Sequence, residues 1–246
     1  MAGLRGEGDH RETVSGAIRP RLAGICSMAT RAILAEVAAA FEREIGIAVA
    51  IESAGGVDAA RRVAAGEPFD VTVLARDAID RLIAAGWVVA GSAVDLARSG
   101  VAAAIRAGAP RPDIASEEAL RRAVLAAPTV GCSTGPSGAA LARLFERWGI
   151  ANEIAGRLVV APPGVPVGAL LARGEVALGF QQLSELIHEP GIEVLGPLPA
   201  AVQIVTVFAG GVCAGSRLGD EARRLLEFAR SPAADEIKRR HGMAPA

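Results

Sequence analysis

The stretch Thr129-Val-Gly-Cys-Ser-Thr-Gly-Pro-Ser-Gly138, running into Ala139–Trp148, confines this chain to a narrow set of folds. A short β-branched run ends in a loop of Ser, Thr and Gly, and that loop opens an amphipathic helix. The same order recurs along the chain. Leu22–Cys26 reads as a strand and Thr30–Glu44 as a helix, with Ile33, Leu34, Val37, Ala40 and Phe41 at helical spacing and Gly46 past its end. Ala48–Glu52, Val57–Ala65, Asp70–Leu74 and Arg76–Ala85 continue the alternation. A second series follows: Thr129–Cys132, the helix to Trp148, Leu158–Ala161, Val165–Ala172 and Val176–Phe180. Repeated strand–helix units predict an α/β fold with parallel sheets covered on both faces.

Between the two series, Val94–Ile105 is a long apolar run interrupted by Arg98-Ser99-Gly100, and Ser116 is placed to cap the helix that starts at Glu117. Near the end, Ala201–Val212 is strongly β-forming, and Asp220–Arg230 and Ala233–Arg240 read as helices. With 246 residues, the chain is long enough for two lobes. Arg98–Gly100 and Gly196–Pro199 are the natural crossover points. The expected division is a disordered tail over residues 1–20, a first lobe of residues 21–98 plus 198–246, and an inserted second lobe of residues 99–197.

Open α/β sheets bind ligands beyond the carboxyl ends of their strands. Ser27, the Ala54-Gly55-Gly56 turn, Arg76 and the Ser133-Thr134-Gly135-Pro136-Ser137 loop all fall at such ends. Helix N-termini there present unpaired N–H groups and the positive end of the helix dipole, hydroxyls add donors, and glycines let a ligand approach the backbone. The shared site therefore suits a small anion. Taken singly, each junction also reads as an ordinary helix cap or turn. Arg76, and Arg98 in the interlobe segment, are candidate clamps for a substrate carboxylate; a solvent-facing arginine is the other reading for each. Gln181 and Gln182 follow another strand end and can reach the ligand from the second lobe, or simply start a helix.

Several classes are excluded by what the chain lacks. It has neither GxxxxGK[ST] nor a GxGxxG after a strand, so a nucleotide site is unsupported, and without GxSxG so is a serine hydrolase. The three cysteines, Cys26, Cys132 and Cys213, have no metal or redox spacing and suit buried free thiols; His10, His188 and His241 are isolated. No cofactor or metal is called for. Basic and acidic residues balance at 26 against 27, without a dense basic run, which argues against nucleic acid. No apolar run approaches the roughly 20 residues of a membrane span. The polar start Met1–His10 lacks the pattern of a secretory signal. The expectation is a cytoplasmic protein, or a periplasmic one if the start site lies elsewhere.

These marks together resemble the type II periplasmic-binding-protein family, in its molybdate-binding-protein-like branch. They are Ser27 before Ala32–Gly46, Ser53-Ala-Gly-Gly56, Gly66-Glu-Pro-Phe-Asp-Val71 and Gly174-Glu-Val-Ala-Leu-Gly-Phe180. The resemblance implies two α/β lobes joined by hinge strands, with the ligand cleft between them. It places an oxyanion on a serine at Ser27, a second serine in the loop matching Ala54–Val57, and backbone near Ser133–Gly135 and Val165–Val167, hence Val167. A tyrosine is usual near Gln181–Leu183. Here Gly55 or Gly56 replaces the second serine, and the chain has no tyrosine. The glycines enlarge the cleft, as a di- or tricarboxylate would need. Ser53–Leu82, Val94–Trp148 and Gly174–Glu189 are most similar to the aconitate isomerase-like members of this branch, which implies a cis/trans isomerisation by allylic proton shift. The alternatives are a non-catalytic binding component of a molybdate-type or organic-anion ABC transporter, with a permease partner only if exported, and a ligand-sensing domain. No general base stands out in the sequence.

Overall fold

The computed structural model describes residues 21–246; the tail expected over residues 1–20 lies outside them. β1 (Arg21–Ser27) passes through a 3-10 turn (Met28–Thr30) into α1 (Arg31–Ile45), then β2 (Ala48–Ala54), α2 (Gly56–Ala64), β3 (Val71–Ala75) and α3 (Arg76–Ala84). β4 (Val94–Arg106) is followed by α4 (Glu117–Ala126), β5 (Val130–Cys132), α5 (Pro136–Arg147), α6 (Ala151–Ile154) and β6 (Leu158–Val160). The chain continues through α7 (Val167–Ala172), β7 (Leu178–Gln182), α8 (Leu183–Leu186), β8 (Ile192–Pro197) and β9 (Val205–Val212). It ends with α9 (Gly219–Arg230), α10 (Asp235–Arg240) and β10 (Ala244–Pro245). None of the helices in the described residues is long and apolar enough to cross a membrane.

Local chemistry accounts for the boundaries. α1 buries Ile33, Leu34, Val37 and Phe41 on one face, and Gly46 at φ 77° closes it in the left-handed conformation that glycine adopts without strain. Its Phe41 meets Phe228 of α9 edge to face at 5.6 Å, which holds two helices on the same sheet face. The Ser116 hydroxyl accepts from the Ala119 N–H at 3.1 Å and so caps α4. All five residues of β3 are buried, as expected of a central strand covered on both faces.

The strands lie in the order β2-β1-β3-β9-β4-β7-β5-β6, with β8 and β10 also pairing β4. β2-β1-β3 and β7-β5-β6 are parallel sets, whereas β9, β8 and β10 run antiparallel to their partners. The sheets are therefore mixed rather than purely parallel. β9 returns from the C-terminal part of the chain to fill the place beside β3, and a direct return of that kind fits an antiparallel neighbour.

β4 belongs to both sets. Val94–Gly100 pairs β9, and Val101–Arg106 pairs β7 and β8. Its 13 residues span about 43 Å at the usual rise per residue, enough to serve two sheets in succession. The strand runs through Arg98-Ser99-Gly100 and changes partners just after it. Ser99 is wholly buried there, and a Cβ on Gly100 would stand 3.1 Å from Gln203 Nε2, so the glycine accommodates a neighbour. Two boundaries differ from expectation. Thr129 Oγ1 accepts from the Ala177 N–H, and β7 begins only at Leu178, where pairing with Val130 starts. Ala200–Val202 is a 3-10 turn, and β9 starts at Val205.

The core divides along the same lines. One cluster, around Leu22, Phe41, Val73 and Leu226, packs α1 and α9 on the first sheet. Another, around Val130, Leu141, Phe145 and Phe180, packs α5 on the second. Each lobe is thus a mixed sheet covered by helices, and the lobes meet at β4 and β9.

Candidate functional site

The parallel strands of both sets direct their carboxyl ends to one place. Their connecting turns line a cleft of about 570 Å³ between the lobes. From the first lobe come Ser27 after β1, Gly55 and Gly56 after β2, and Ala75 after β3. From the second come Ser133–Ser137 after β5, Ala161–Val165 after β6, and Gln181, Gln182 and Glu185 around the end of β7. Thr206 and Phe208 of β9 supply the floor between them.

At the first junction the chain turns tightly. Thr30 Oγ1 donates to the Ser27 carbonyl at 3.1 Å, and the Ser27 and Thr30 hydroxyl oxygens lie 3.3 Å apart. Ser27 is 6% exposed and makes no helix-capping bond, so its hydroxyl remains available to the cleft. At the second, Gly55 is the N-cap of α2 with no side chain to occupy the capping position. In the second lobe, Gly135 is the N-cap of α5, and Ser133 Oγ and Ser137 Oγ stand 3.3 Å apart beside it. Helix starts of α2 and α5 therefore face the cleft with first-turn N–H groups that no side chain caps, a setting that favours negative charge.

Gln181 and Gln182 are both almost fully buried. Gln181 Oε1 accepts from the Val167 N–H at 2.8 Å, and the Gln181 side chain is a polar neighbour of Glu185. Gln182 Nε2 donates to Thr206 Oγ1 at 2.7 Å, and its Oε1 has no partner among the described residues. Glu185 lines the cleft partly buried, and burial pushes its carboxyl up to about 7, opposed by the Gln181 hydrogen bond and the charge of Arg31.

Of the residues expected from sequence, Ser27, Gly55, Gly56, Ser133, Thr134, Gly135, Ser137 and Gln181 are brought together in the cleft lining. Three are not. Arg76 turns away to Asp95 at 2.7 Å and Asp80 at 2.9 Å, two carboxylates that hold its guanidinium pKa above the usual arginine value. Arg98 is an exposed residue of β4, in register with Val207 and Ala244. Val167 is fully buried behind the lining, with its N–H taken by Gln181, and Val165 reaches the cleft in its place.

The cation that does line the cleft is Arg81. It sits one helical step beyond Ala78, another lining residue, and i,i+3 neighbours share a helix face. That spacing is the signal by which Arg81 could have been preferred to Arg76. Its side chain is 70% exposed and bridged to Asp77 at 2.9 Å, a pairing weak enough to exchange for a ligand carboxylate. Glu185 carries no comparable signal, because α8 is a four-residue helix without periodicity.

Two mixed sheets with a donor-lined cleft between them define a two-lobe protein of the kind that takes a small solute between its lobes. The chain belongs to the bacterial extracellular solute-binding protein family, which matches residues 22–244. It is 38% identical over 216 residues to an aconitate isomerase of Pseudomonas sp, a match covering 85% of this chain and 82% of the relative. Among solved structures it resembles the periplasmic molybdate-binding protein of Azotobacter vinelandii, with a TM-score of 0.77 and 19% identity over 91% of this chain and 98% of that one. It also resembles the sulfate-binding protein SubI of Mycobacterium tuberculosis, with a TM-score of 0.73 and 20% identity over 93% of this chain and 88% of that one. At those identities the structural likeness establishes the fold, the two-lobe type II architecture.

Proposed function

We propose that the protein binds a small di- or tricarboxylate in the interlobe cleft and interconverts cis- and trans-aconitate. The observation that carries the reading is the 38% identity to an aconitate isomerase along 85% of the chain. The cleft supports it. Its volume falls in the ~300–1,000 Å³ range typical of organic-ligand sites. Gly55 and Gly56 leave open space where a compact oxyanion would want a close donor.

The chemistry is an allylic proton shift. A base removes a C–H proton beside a carboxylate, and the resulting charge spreads over the three-carbon system and its carboxylates. The helix starts of α2 and α5, the hydroxyls of Ser27, Ser133 and Ser137, and Arg81 are placed to bind the carboxylates and stabilise that charge. Proton NMR of pure cis-aconitate incubated with the protein tests this, with the trans isomer as the expected product. Binding without turnover would reduce the protein to a carboxylate receptor.

A second reading is a non-catalytic binding component of an anion transporter, favoured by the family to which the chain belongs. It requires export and a permease, whereas the isomerase requires neither, and we assign the isomerase to the cytoplasm. Cell fractionation, with a thermal-shift series of molybdate, sulfate, citrate and both aconitates, separates the two. A periplasmic protein stabilised by molybdate alone would favour transport.

A further inference from the structure

The proton shift needs a group that takes a proton near neutral pH and stands at the ligand. Two carboxylates line the cleft, and the environments of Asp58 and Glu185 differ. Asp58 is half-exposed in the first turn of α2 and is held by Arg61 at 2.7 Å. Glu185 is partly buried at the end of β7, facing the cleft, with no ion pair among the described residues. Neither a histidine nor a cysteine lines the cleft among the described residues.

We infer that Glu185 is the catalytic residue that moves the proton, with Gln181 positioning it. The inference rests on the isomerase reading above. Gln181 is anchored by the Val167 N–H at 2.8 Å, and its side chain favours the ionised form of the Glu185 carboxyl, so it is the fixed polar neighbour from which that carboxyl takes its orientation. α8 also packs against the Met28–Thr30 turn, which brings Glu185 beside the Ser27 junction of the opposite lobe. A substrate held by Ser27 on one side and the Ser133–Ser137 loop on the other would lie against this carboxyl.

The step is balanced within the pair. A Glu185 carboxylate oxygen forms an O–H bond as the substrate CH2 loses one C–H bond. The freed electron pair enters the conjugated system, and the double bond becomes delocalised over three carbons. The Glu185 O–H then breaks as a C–H bond forms at the other end of that system. The double bond has moved, the conformation held about the former CH2–C single bond as the proton leaves sets its geometry, and the carboxylate is regenerated. No oxidant, reductant or co-reactant enters.

The ionisation of Glu185 suits this task, since a carboxyl titrating at about 7 is both a competent base and a competent acid at neutral pH. Burial is the main cause. The charged neighbour on the packed elements is Arg31 at the start of α1, which favours the ionised form, while Asp58 and Arg81 share the cleft. His188, one turn further on, is engaged elsewhere: it and His241, isolated in the sequence, meet in the fold with His188 Nε2 2.7 Å from His241 Nδ1.

The test is Glu185→Gln, which preserves shape and removes the proton acceptor, alongside Glu185→Asp and the wild type. Turnover is followed by NMR and binding by calorimetry. The expected result for Glu185→Gln is a kcat lower by about 10²–10⁴-fold, the usual contribution of a positioned acid–base group. Its affinity for aconitate should be unchanged or tighter. Glu185→Asp should retain measurable turnover. Wild-type kcat/KM should rise about tenfold per pH unit and level off above about pH 7, because only the ionised carboxyl can begin the reaction. Retained turnover in Glu185→Gln, or a loss of affinity equal to the loss of turnover, overturns the role of Glu185 and leaves the isomerase reading intact. A wild type that binds aconitate without isomerising it sinks both. Should Glu185→Gln fail to fold, Glu185→Ala takes its place, and a folded Glu185→Ala that turns over at the wild-type rate overturns the proposal by itself.

Discussion

The Gly55–Gly56 turn and the Ser133–Gly138 loop face each other across the cleft, and their glycines do opposite things. A Cβ on Gly55 would meet no atom within 4 Å, and one on Gly56 would stand at an ordinary 3.8 Å from Ser27 Cβ. A Cβ on Gly138 would lie 1.7 Å from the Ser133 carbonyl oxygen. In the first turn, glycine leaves open space in the cleft. In the loop, glycine lets the chain fold back on itself and fixes where Ser133 and Ser137 stand. Two glycine-rich junctions that look alike in sequence thus separate into one that widens the cleft and one that packs the chain.

The contrast can be broken most directly by Gly138→Ala. Overpacking against backbone should cost about 3 kcal/mol, at the upper end for such substitutions. For a chain of this size that corresponds to a fall in Tm of about 6–12 °C by calorimetry. Gly55→Ala should move Tm by far less, and equal effects at the two sites would erase the distinction. Next in size is Ser27→Ala. Loss of a hydroxyl donor to a charged ligand should weaken aconitate binding by about 1–3 kcal/mol in titration calorimetry, and the fold should survive. Unchanged affinity would remove Ser27 from the site.

Gly55→Ser sharpens the comparison from the other side. The space is open and the residue is an N-cap with extended geometry, so serine fits without strain. The added hydroxyl should shift preference from aconitate toward a compact oxyanion such as molybdate by about tenfold, or 1.4 kcal/mol, in paired titrations. A shift toward the larger ligand would contradict the reading of the turn as ligand space. The smallest effect belongs to Arg76→Ala. Its ion pairs are half-exposed, so stability should change by less than about 1 kcal/mol, and ligand affinity should not change at all. A marked loss of affinity would return Arg76 to the site.

The junctions themselves were legible because they are local. A β-branched run, a small polar loop and a helical period lie within some twenty residues, and Ser27 and Ser133–Ser137 could be assigned to strand ends without knowing which strands were neighbours. What was not legible depends on neighbours. Arg76 and Arg81 lie on the same short helix, and the position of Asp95 on β4, together with Asp80, draws the first away from the cleft. Gly100 sits where β4 leaves β9 for β7 and β8, and the nearby Gln203 side chain that its missing Cβ makes room for lies about a hundred residues away in the sequence. β8 and β10 are short strands whose partner is a distant part of β4, so neither announces itself by alternation. Glu185 looks like any surface glutamate in its segment, and its environment comes from β4, β7 and the Met28–Thr30 turn packed against α8.

The placement of β9 also governs the order in which the molecule can be made. β3 and the first half of β4 need β9 as their shared neighbour, and β10 closes on Ala97 and Arg98. During synthesis the first sheet therefore emerges from the ribosome early but stays open at an edge until the last strands appear. The second sheet is drawn from one contiguous stretch and can close in the meantime. An unpaired β3 edge is a template for mispairing with another chain. Ribosome-stalled chains ending before Val205 should accordingly hold a protease-resistant fragment from the second sheet and a cleavable first one, and they should depend on chaperones until β9 is released.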